Sequence, residues 1–492
     1  MEKLTFDVCV IGSGPAGFAA AMRSYDFGKH VCIIEGRHIG GAGIVNGALS
    51  SKTMWELSKD FSVASKTDRG YQASGLKPNY HEVIRAVKQA AGEKQYQILS
   101  QIETFSRKPE SSKSLTLIKG WAKFKDKSTV LVKKHDGSEV EITADDFIVA
   151  TGSTPREHPT IKTDGKRIIH SDHMDKLEAF PKRIMIVGAG IVGCEFATIF
   201  ANFGQTKVHL LDSQQKVIPF EDEDVSDYVN EKLEEIGVIM HHKASLREVR
   251  KEADHIDVIL DHQDGHVVVV PVDIVLISIG RIPLTRDIGL EEIGATITER
   301  GLLQVDNECR VMDHIYAAGD ISGNMALVNI AEMEGRFAAK AINHRIKYPL
   351  NYNNISTIMF FNPEVSAIGL NEKECQKKKI AYKVIHYSHA LIPRAIAMRS
   401  TDGFFKIIVT DEEDPVVLGM RAAGPQSAAA LIFIAPMIHG RQRLSEIMRT
   451  VHPHPSITEG IQECLRALSN KNIFKWKAFP DKIKFWTWAP EA

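Results

Sequence analysis

Gly12-Ser13-Gly14-Pro15-Ala16-Gly17 spaces three glycines so that the backbone can wrap a pyrophosphate. In a G-x-G-x-x-G turn the first glycine makes the tight turn and the second lets a phosphate approach the main chain. The third lets the following helix pack close to the strand. That helix offers its unsatisfied N–H groups and positive dipole end to the anion. Glu35, at the end of the next apolar run, stands where a carboxylate bonds an adenosine ribose. The arrangement recurs at Gly188, Gly190 and Gly193, with Asp212 in the place of Glu35. A carboxylate there favours a free ribose 2′-hydroxyl and repels a 2′-phosphate. Ser213, Gln214 and Gln215 supply no arginine for a phosphate, so NADH is preferred over NADPH, with Lys216 counting the other way. Two such loops imply two dinucleotides that exchange electrons, a tightly held flavin (FAD) and an exchangeable nicotinamide (NAD(P)H).

The elements around the loops fit this reading. Phe6 to Gly12 is a short apolar run ending at glycine, the pattern of a buried parallel strand. An alanine-rich helix from Pro15 to Arg23 and a strand Val31–Ile34 complete a β-α-β unit. The second unit has a strand Arg183–Gly188, a helix Ile191–Phe203 and a strand Val208–Leu211. Between them, Leu115–Val132 and His135–Ile148 are β-prone runs broken by turns, expected to add a small sheet to the first domain. Ile315–Asp320 reads as a strand running into a glycine turn, and Ala326–Ile342 as a helix. From Ser356 onward strands such as Phe404–Val409 and Val416–Met420 alternate with helices, suggesting an α+β domain.

Composition narrows the class. A chain of 492 residues suggests about three domains. Lys plus Arg (61) nearly balance Asp plus Glu (62), which leaves no charge footprint for nucleic acid. The apolar run Ala428–Ile438 is too short for a bilayer span of about 20 residues, and no signal peptide is apparent. A cytoplasmic protein is the expectation. The six cysteines, at 9, 32, 194, 309, 375 and 464, form no short metal or disulfide motif. Cys9, Cys32 and Cys194 fall on core elements and read as small buried hydrophobes.

Further markers follow in order: Gly40 to Lys52, Ala150-Thr151-Gly152, Glu195 on the second loop's helix, Ile279-Gly280-Arg281, Ala317-Ala318-Gly319-Asp320, and His452 to Glu459. Over roughly residues 5 to 470 the chain resembles the pyridine nucleotide-disulfide oxidoreductase family, in its dihydrolipoamide dehydrogenase group. The resemblance implies an α/β fold with two Rossmann-like dinucleotide-binding domains, for FAD and NAD, and a C-terminal α+β dimerisation domain. The expected boundaries are 1–157 and 284–348 for the two parts of the FAD domain, 158–283 for the NAD(P) domain, 349–470 for the dimerisation domain and 471–492 for an aromatic tail. Gly152, Asp320 and Gly280 join the cofactor-binding set, with Asp320 on the flavin ribityl chain. Lys52 is implied beside flavin N5, paired with Glu195. His454, oriented by Glu459, is implied as the proton carrier of a homodimer, while His452 reads as structural.

The resemblance breaks at one place. Where the family carries two cysteines four residues apart, this chain has Gly43 and Ala48, and Ser50 stands in place of the usual proline. No thiol relay can operate there, so the electrons must pass from flavin directly to a small-molecule acceptor, such as a second pyridine nucleotide or a quinone. The soluble pyridine nucleotide transhydrogenases, which also lack a working disulfide, are a similar branch. The acceptor is expected to enter the space left at Gly43 and Ala48. A flavin-containing binding or regulatory protein that has lost turnover is the competing reading, weighed against by the retention of both loops, Lys52, Glu195, Asp320, His454 and Glu459. The tail holds three of the five tryptophans among lysines, the composition of a membrane-surface or partner anchor or of a segment packed on the protein itself.

Overall fold

A computed structural model describes residues 1–106, 112–323 and 325–491. They form two compact units, each made of two stretches of chain: Met1–Pro181 with Ile274–Leu350, and Lys182–Asp273 with the chain from Asn351 onward.

The first unit is built on the strand Glu2–Ile11, whose inner half is fully buried. It pairs in parallel with His30–Glu35 on one side and Glu139–Val149 on the other. Ser114–Asp126 extends the sheet beyond His30–Glu35, and Ile315–Ala317 extends it beyond Glu139–Val149. A parallel sheet buried on both faces accounts for these unbroken apolar runs. The β-prone middle region, expected to add a small sheet to the first domain, extends that domain's main sheet instead. Ser114–Asp126 is 13 residues long; Ser114–Lys119 pairs in parallel with His30–Glu35, and Gly120–Asp126 pairs antiparallel with Thr129–Lys134. Residues 129–133 then pair antiparallel with residues 139–143 of the strand Glu139–Val149, so both regions form one sheet. The helices Pro15–Asp26 and Val328–Ile342 pack together, and a methyl group on Gly335 would collide with the Ala16 carbonyl.

The second unit joins two layers. In Lys182–Asp273 the strands Arg183–Val187, Lys207–Leu211 and Ile239–His241 pair in parallel, followed by an antiparallel sheet of Ala244–Lys251, Ile256–His262 and Val267–Val272. The later stretch forms a six-stranded antiparallel sheet, in the order Ser356–Met359, Val365–Gly369, Val417–Ala423, Phe404–Thr410, Tyr382–Ser388, Ile483–Trp488. The helices Ser427–Gly440 and Glu459–Ala467 contribute Leu431, Ile434, Ile461 and Leu465 to the core on that sheet. The last strand of the aromatic tail packs on the protein itself: Ile483–Trp488 is an edge strand along Tyr382–Ser388, and Trp488 stacks on Tyr382 at 5.6 Å. Among the described residues no helix is long and apolar enough to cross a membrane.

Lys406 sits in the middle of this sheet with no exposed surface. Its Nζ lies 2.6 Å from Asp224, 2.6 Å from Glu372 and 3.0 Å from Asp222. Trp486 of the tail donates its indole N–H to Glu372 at 2.7 Å, and the Tyr382 hydroxyl donates to the same oxygen at 2.9 Å. Nearby, buried Arg421 pairs with buried Glu221 at 2.9 Å. The unit thus closes around charges that are compensated in pairs and clusters, as burial of charge requires.

Two buried histidines give this unit an acid limit. His389 is fully buried, and neither ring nitrogen has a hydrogen-bond partner among the described residues. Burial, with a smaller contribution from His386, pushes its pKa down to about 3. His209 is pushed down to about 4 by burial, then by His241 and Lys207. A depressed folded pKa means that the unfolded chain binds more protons between the folded value and about 6.5. The stability these neutral rings allow is therefore complete above pH about 6.5 and is lost as pH falls toward 4 and 3. Each ring should cost about 1.4 kcal/mol per pH unit over that window. Thermal melts from pH 7.5 to 5 should show the loss, with a shallower slope in His209→Gln; an unchanged slope in that variant would refute the assignment.

Candidate active site

The first glycine loop is built by close approach. Gly12 takes φ +107°, donates to the Ile34 carbonyl at 2.8 Å, and has the Ala150 carbonyl where a side chain would stand. A methyl group on Gly17 would collide with the Gly12 carbonyl. Gly14 caps the helix Pro15–Asp26 with extended backbone and has no atom within 4 Å of where its side chain would be. The loop is thus tight on the protein side and open on the other, which is the cradle a pyrophosphate needs. Glu35 is already tied to it: Oε2 accepts from the Ser13 N–H at 2.9 Å and the Ser13 hydroxyl at 2.6 Å, and Oε1 accepts from the Arg37 N–H at 2.7 Å. Ser13, which sequence reasoning passed over as a spacer, orients this carboxylate.

Asp320 is oriented in the same manner. Its Oδ2 accepts from the Ser153 hydroxyl at 2.6 Å. Arg281 donates from Nε to that hydroxyl at 2.8 Å and from a terminal nitrogen to the Ser153 carbonyl at 2.9 Å. Arg281–Pro283 and Ser153–Pro155 form a two-stranded ribbon, so Arg281, Ser153 and Asp320 are joined in one network. Gly319 donates its N–H to buried Glu334 at 2.8 Å. Gly152 and Gly280 both take positive φ and have nothing within 4 Å of a would-be side chain. Ser153 and Glu334 lacked any spacing signal; the Gly-Arg and Gly-Asp motifs were visible, but not the serine that links them.

The stretch 40–52 turns sharply at Gly40 and Gly41, with φ +85° and +55°. The space expected at Gly43 is not open. A methyl group there would stand 2.6 Å from Cγ of Pro15, because the proline that starts the first helix fills that side. Ala48 begins the helix Ala48–Ala64, which carries Lys52, whose Nζ lies 3.3 Å from the Ser51 hydroxyl. Among the described residues all six cysteines are buried and unpaired. The Cys194 thiol is pushed well up by burial, with Asp212 and Glu195 adding to it, and it donates to the Ala189 carbonyl. Such a thiol is not a nucleophile at neutral pH.

In the second unit, Gly188 takes φ +103° and donates to the Leu211 carbonyl at 2.8 Å. Gly190 caps the helix Ile191–Phe203 and is open within 4 Å, and Gly193 is buried in that helix. Asp212 accepts from the Ala189 N–H at 2.7 Å and the Gln214 N–H at 2.8 Å, repeating the Glu35 arrangement. Lys216 is engaged by Asp227 at 2.8 Å and Glu223 at 3.7 Å, with its pKa raised chiefly by the hydrogen bond to Asp227. It is thereby drawn away from service as a phosphate ligand. Glu195 is 3% exposed and accepts from the Phe360 N–H at 3.2 Å. Lys52 belongs to the first unit and Glu195 to the second.

His454 Nδ1 lies 2.8 Å from Glu459 Oε2, and its ring is 69% exposed. Glu459 starts the helix Glu459–Ala467, so a rigid element holds the carboxylate that orients an accessible imidazole. His452 instead packs edge-on against Phe433 at 4.3 Å, and its pKa is lowered by burial and then by Arg466.

These two loops with their carboxylates define a two-dinucleotide oxidoreductase fold. Residues 6–335 match the pyridine nucleotide-disulphide oxidoreductase family and residues 355–465 match that family's dimerisation domain. The chain belongs to this family, whose cofactors are FAD and NAD(H), and the second match supports a homodimer. Among curated relatives, the dihydrolipoyl dehydrogenase of Geobacillus stearothermophilus is 30% identical over 459 residues, covering 92% of this chain and 94% of the relative. The Bacillus subtilis dihydrolipoyl dehydrogenase is 29% identical over 456 residues, with 92% and 94% covered. Among solved structures, LpdA from Mycobacterium tuberculosis aligns with a TM-score of 0.85 at 26% identity, over 95% of this chain and all of the other (100%).

Proposed function

We propose that this protein is an FAD-dependent NAD(P)H oxidoreductase that delivers hydride to a non-disulfide acceptor, a second pyridine nucleotide or a quinone. One observation carries the reading. Both glycine loops keep their carboxylates in place, while the stretch 40–52 holds no sulfur and every cysteine is buried and unpaired. FAD, when bound, supplies two-electron transfer between a nicotinamide and a second acceptor. Gly12, Gly14 and Gly17 hold its pyrophosphate, Glu35 its adenosine ribose, and Gly152 and Asp320 its remaining length. Gly188, Gly190, Gly193 and Asp212 hold NADH. Lys52, on the helix Ala48–Ala64 that follows the stretch 40–52, brings a positive charge that would favour anionic reduced flavin. His454, fixed by Glu459, donates a proton to acceptors that need one.

Anaerobic titration tests this. NADH should bleach the flavin absorbance of the purified holoenzyme without a long-wavelength thiolate band, and thio-NADP or a quinone should restore it. Absence of bleaching by both NADH and NADPH would favour the binding or regulatory alternative. His454→Gln should slow quinone reduction by on the order of a hundredfold, because proton delivery contributes about that much. The same variant should leave hydride transfer to thio-NADP unchanged, since no proton is consumed there. Equal loss on both acceptors would remove His454 from the proton role.

A further inference from the structure

The first unit contains a cleft of about 750 Å³ whose lining includes none of the glycines and carboxylates assigned to the two dinucleotides. Its lining includes Arg156, Arg286 and Arg300 with a single carboxylate, Glu299, over an apolar floor of Ile282 and Leu284. No hydrogen bond or ion pair engages these three guanidinium groups among the described residues. By contrast, several exposed arginines elsewhere sit beside carboxylates: Arg247 with Asp261, Arg250 with Glu248, Arg336 with Glu332. With acidic residues (62) matching basic ones (61) overall, three unpaired arginines in one concavity mark a local excess of positive charge.

A concave site focuses that field, and the guanidinium fork matches phosphate and carboxylate oxygens in bidentate fashion. The volume falls in the range of small-molecule sites, and the apolar floor suits a carbon skeleton between charged ends. We infer that this cleft binds a small anion carrying two or more phosphate or carboxylate groups. The cleft is also wired to the flavin side. Thr151 donates its hydroxyl to the Leu284 carbonyl at 2.7 Å, and Leu284 donates its N–H to the Gly152 carbonyl at 2.9 Å. Ile282 lies on the ribbon whose Arg281 and Ser153 hold Asp320. An anion seated here rests on the backbone that positions the flavin ligands.

Calorimetric titration of the FAD-loaded enzyme, saturated with NAD⁺ so that the second glycine loop is filled, tests the inference with two probes. Pyrophosphate represents the phosphate source and citrate the carboxylate source. At least one should bind, and Arg286→Gln with Arg300→Gln should weaken it at least about tenfold, since each lost charge-assisted bond removes more than a factor of ten. Arg300→Lys, which keeps charge but loses the fork, should weaken it less. Arg247→Gln, on an exposed strand of the other unit, should change nothing. No binding of either probe, or equal binding by the double variant with unchanged flavin content, overturns the site.

Discussion

Gly17→Ala is expected to yield protein with less than about one-tenth of the wild-type flavin, and with a lowered melting temperature even as apoprotein. The added methyl group collides with the Gly12 carbonyl, so strand and helix must part. Collisions with backbone cannot be relieved by a rotamer change, and overpacking of this kind costs roughly 1–3 kcal/mol or more. Gly14→Ala should separate the two effects. Its methyl group meets no protein atom within 4 Å, so the apoprotein should melt as wild type does. It would instead occupy the room a phosphate needs, and flavin content should fall to a similar degree. Absorbance at the flavin band per protein, together with apoprotein melts, reads both outcomes. A Gly14→Ala protein with full flavin would displace the pyrophosphate from this loop.

Lys406→Met should cost about 3–5 kcal/mol at neutral pH, the range for removing one partner of a buried ionic cluster. Burial disfavours the ammonium, but Asp224, Asp222 and Glu372 outweigh it and its pKa is raised. For Glu372, burial is outweighed by the Lys406 charge and by hydrogen bonds from Lys406, Trp486 and Tyr382, and its pKa is lowered. The signs set the window. The lysine contributes fully below its unfolded value and loses its contribution only as pH rises through the raised folded value. The glutamate contributes above its unfolded value of about 4.3 and loses its contribution as pH falls through the lowered one. The cluster is therefore intact across the neutral range. Without Lys406 the crowded carboxylates favour protonation, so the variant's deficit should shrink between pH 7 and pH 5. Denaturant unfolding of both proteins at the two pH values measures this. The acid sensitivity of His209 and His389 is common to both and cancels in the difference. A deficit below about 1 kcal/mol at pH 7, or one that grows on acidification, would contradict the account.

These two features were unequally visible in the sequence. Glycine spacing is local, and each loop is defined by residues that touch within one β-α-β unit. The strand Arg183–Val187 and the helix Ile191–Phe203 stand where periodicity and turn chemistry put them. In the sequence Lys406 is a lone charged residue within the apolar run Phe404–Val409. Its partners Asp222 and Asp224 lie in a distant stretch of chain, and nothing in a linear pattern pairs them. Ser13 and Ser153 were equally silent, because a serine that orients a carboxylate has no period. The tail was ambiguous for another reason: an aromatic and lysine-rich segment has one composition whether it lies on a membrane, on a partner or along its own sheet edge. The crowding of Gly43 by Pro15 required coordinates, since absence of a side chain does not by itself leave room.

The division of each unit into two stretches also orders the events of biosynthesis. Lys182–Asp273 leaves the ribosome before the stretch from Asn351 onward that carries Lys406 and Trp486. Asp222 and Asp224 must therefore wait, solvated and without their lysine, while the remainder of the first unit is translated. Domains that fold one after another as they emerge need contiguous sequence. Here neither unit is contiguous, and the nascent chain must hold one half-built unit open while it closes the other.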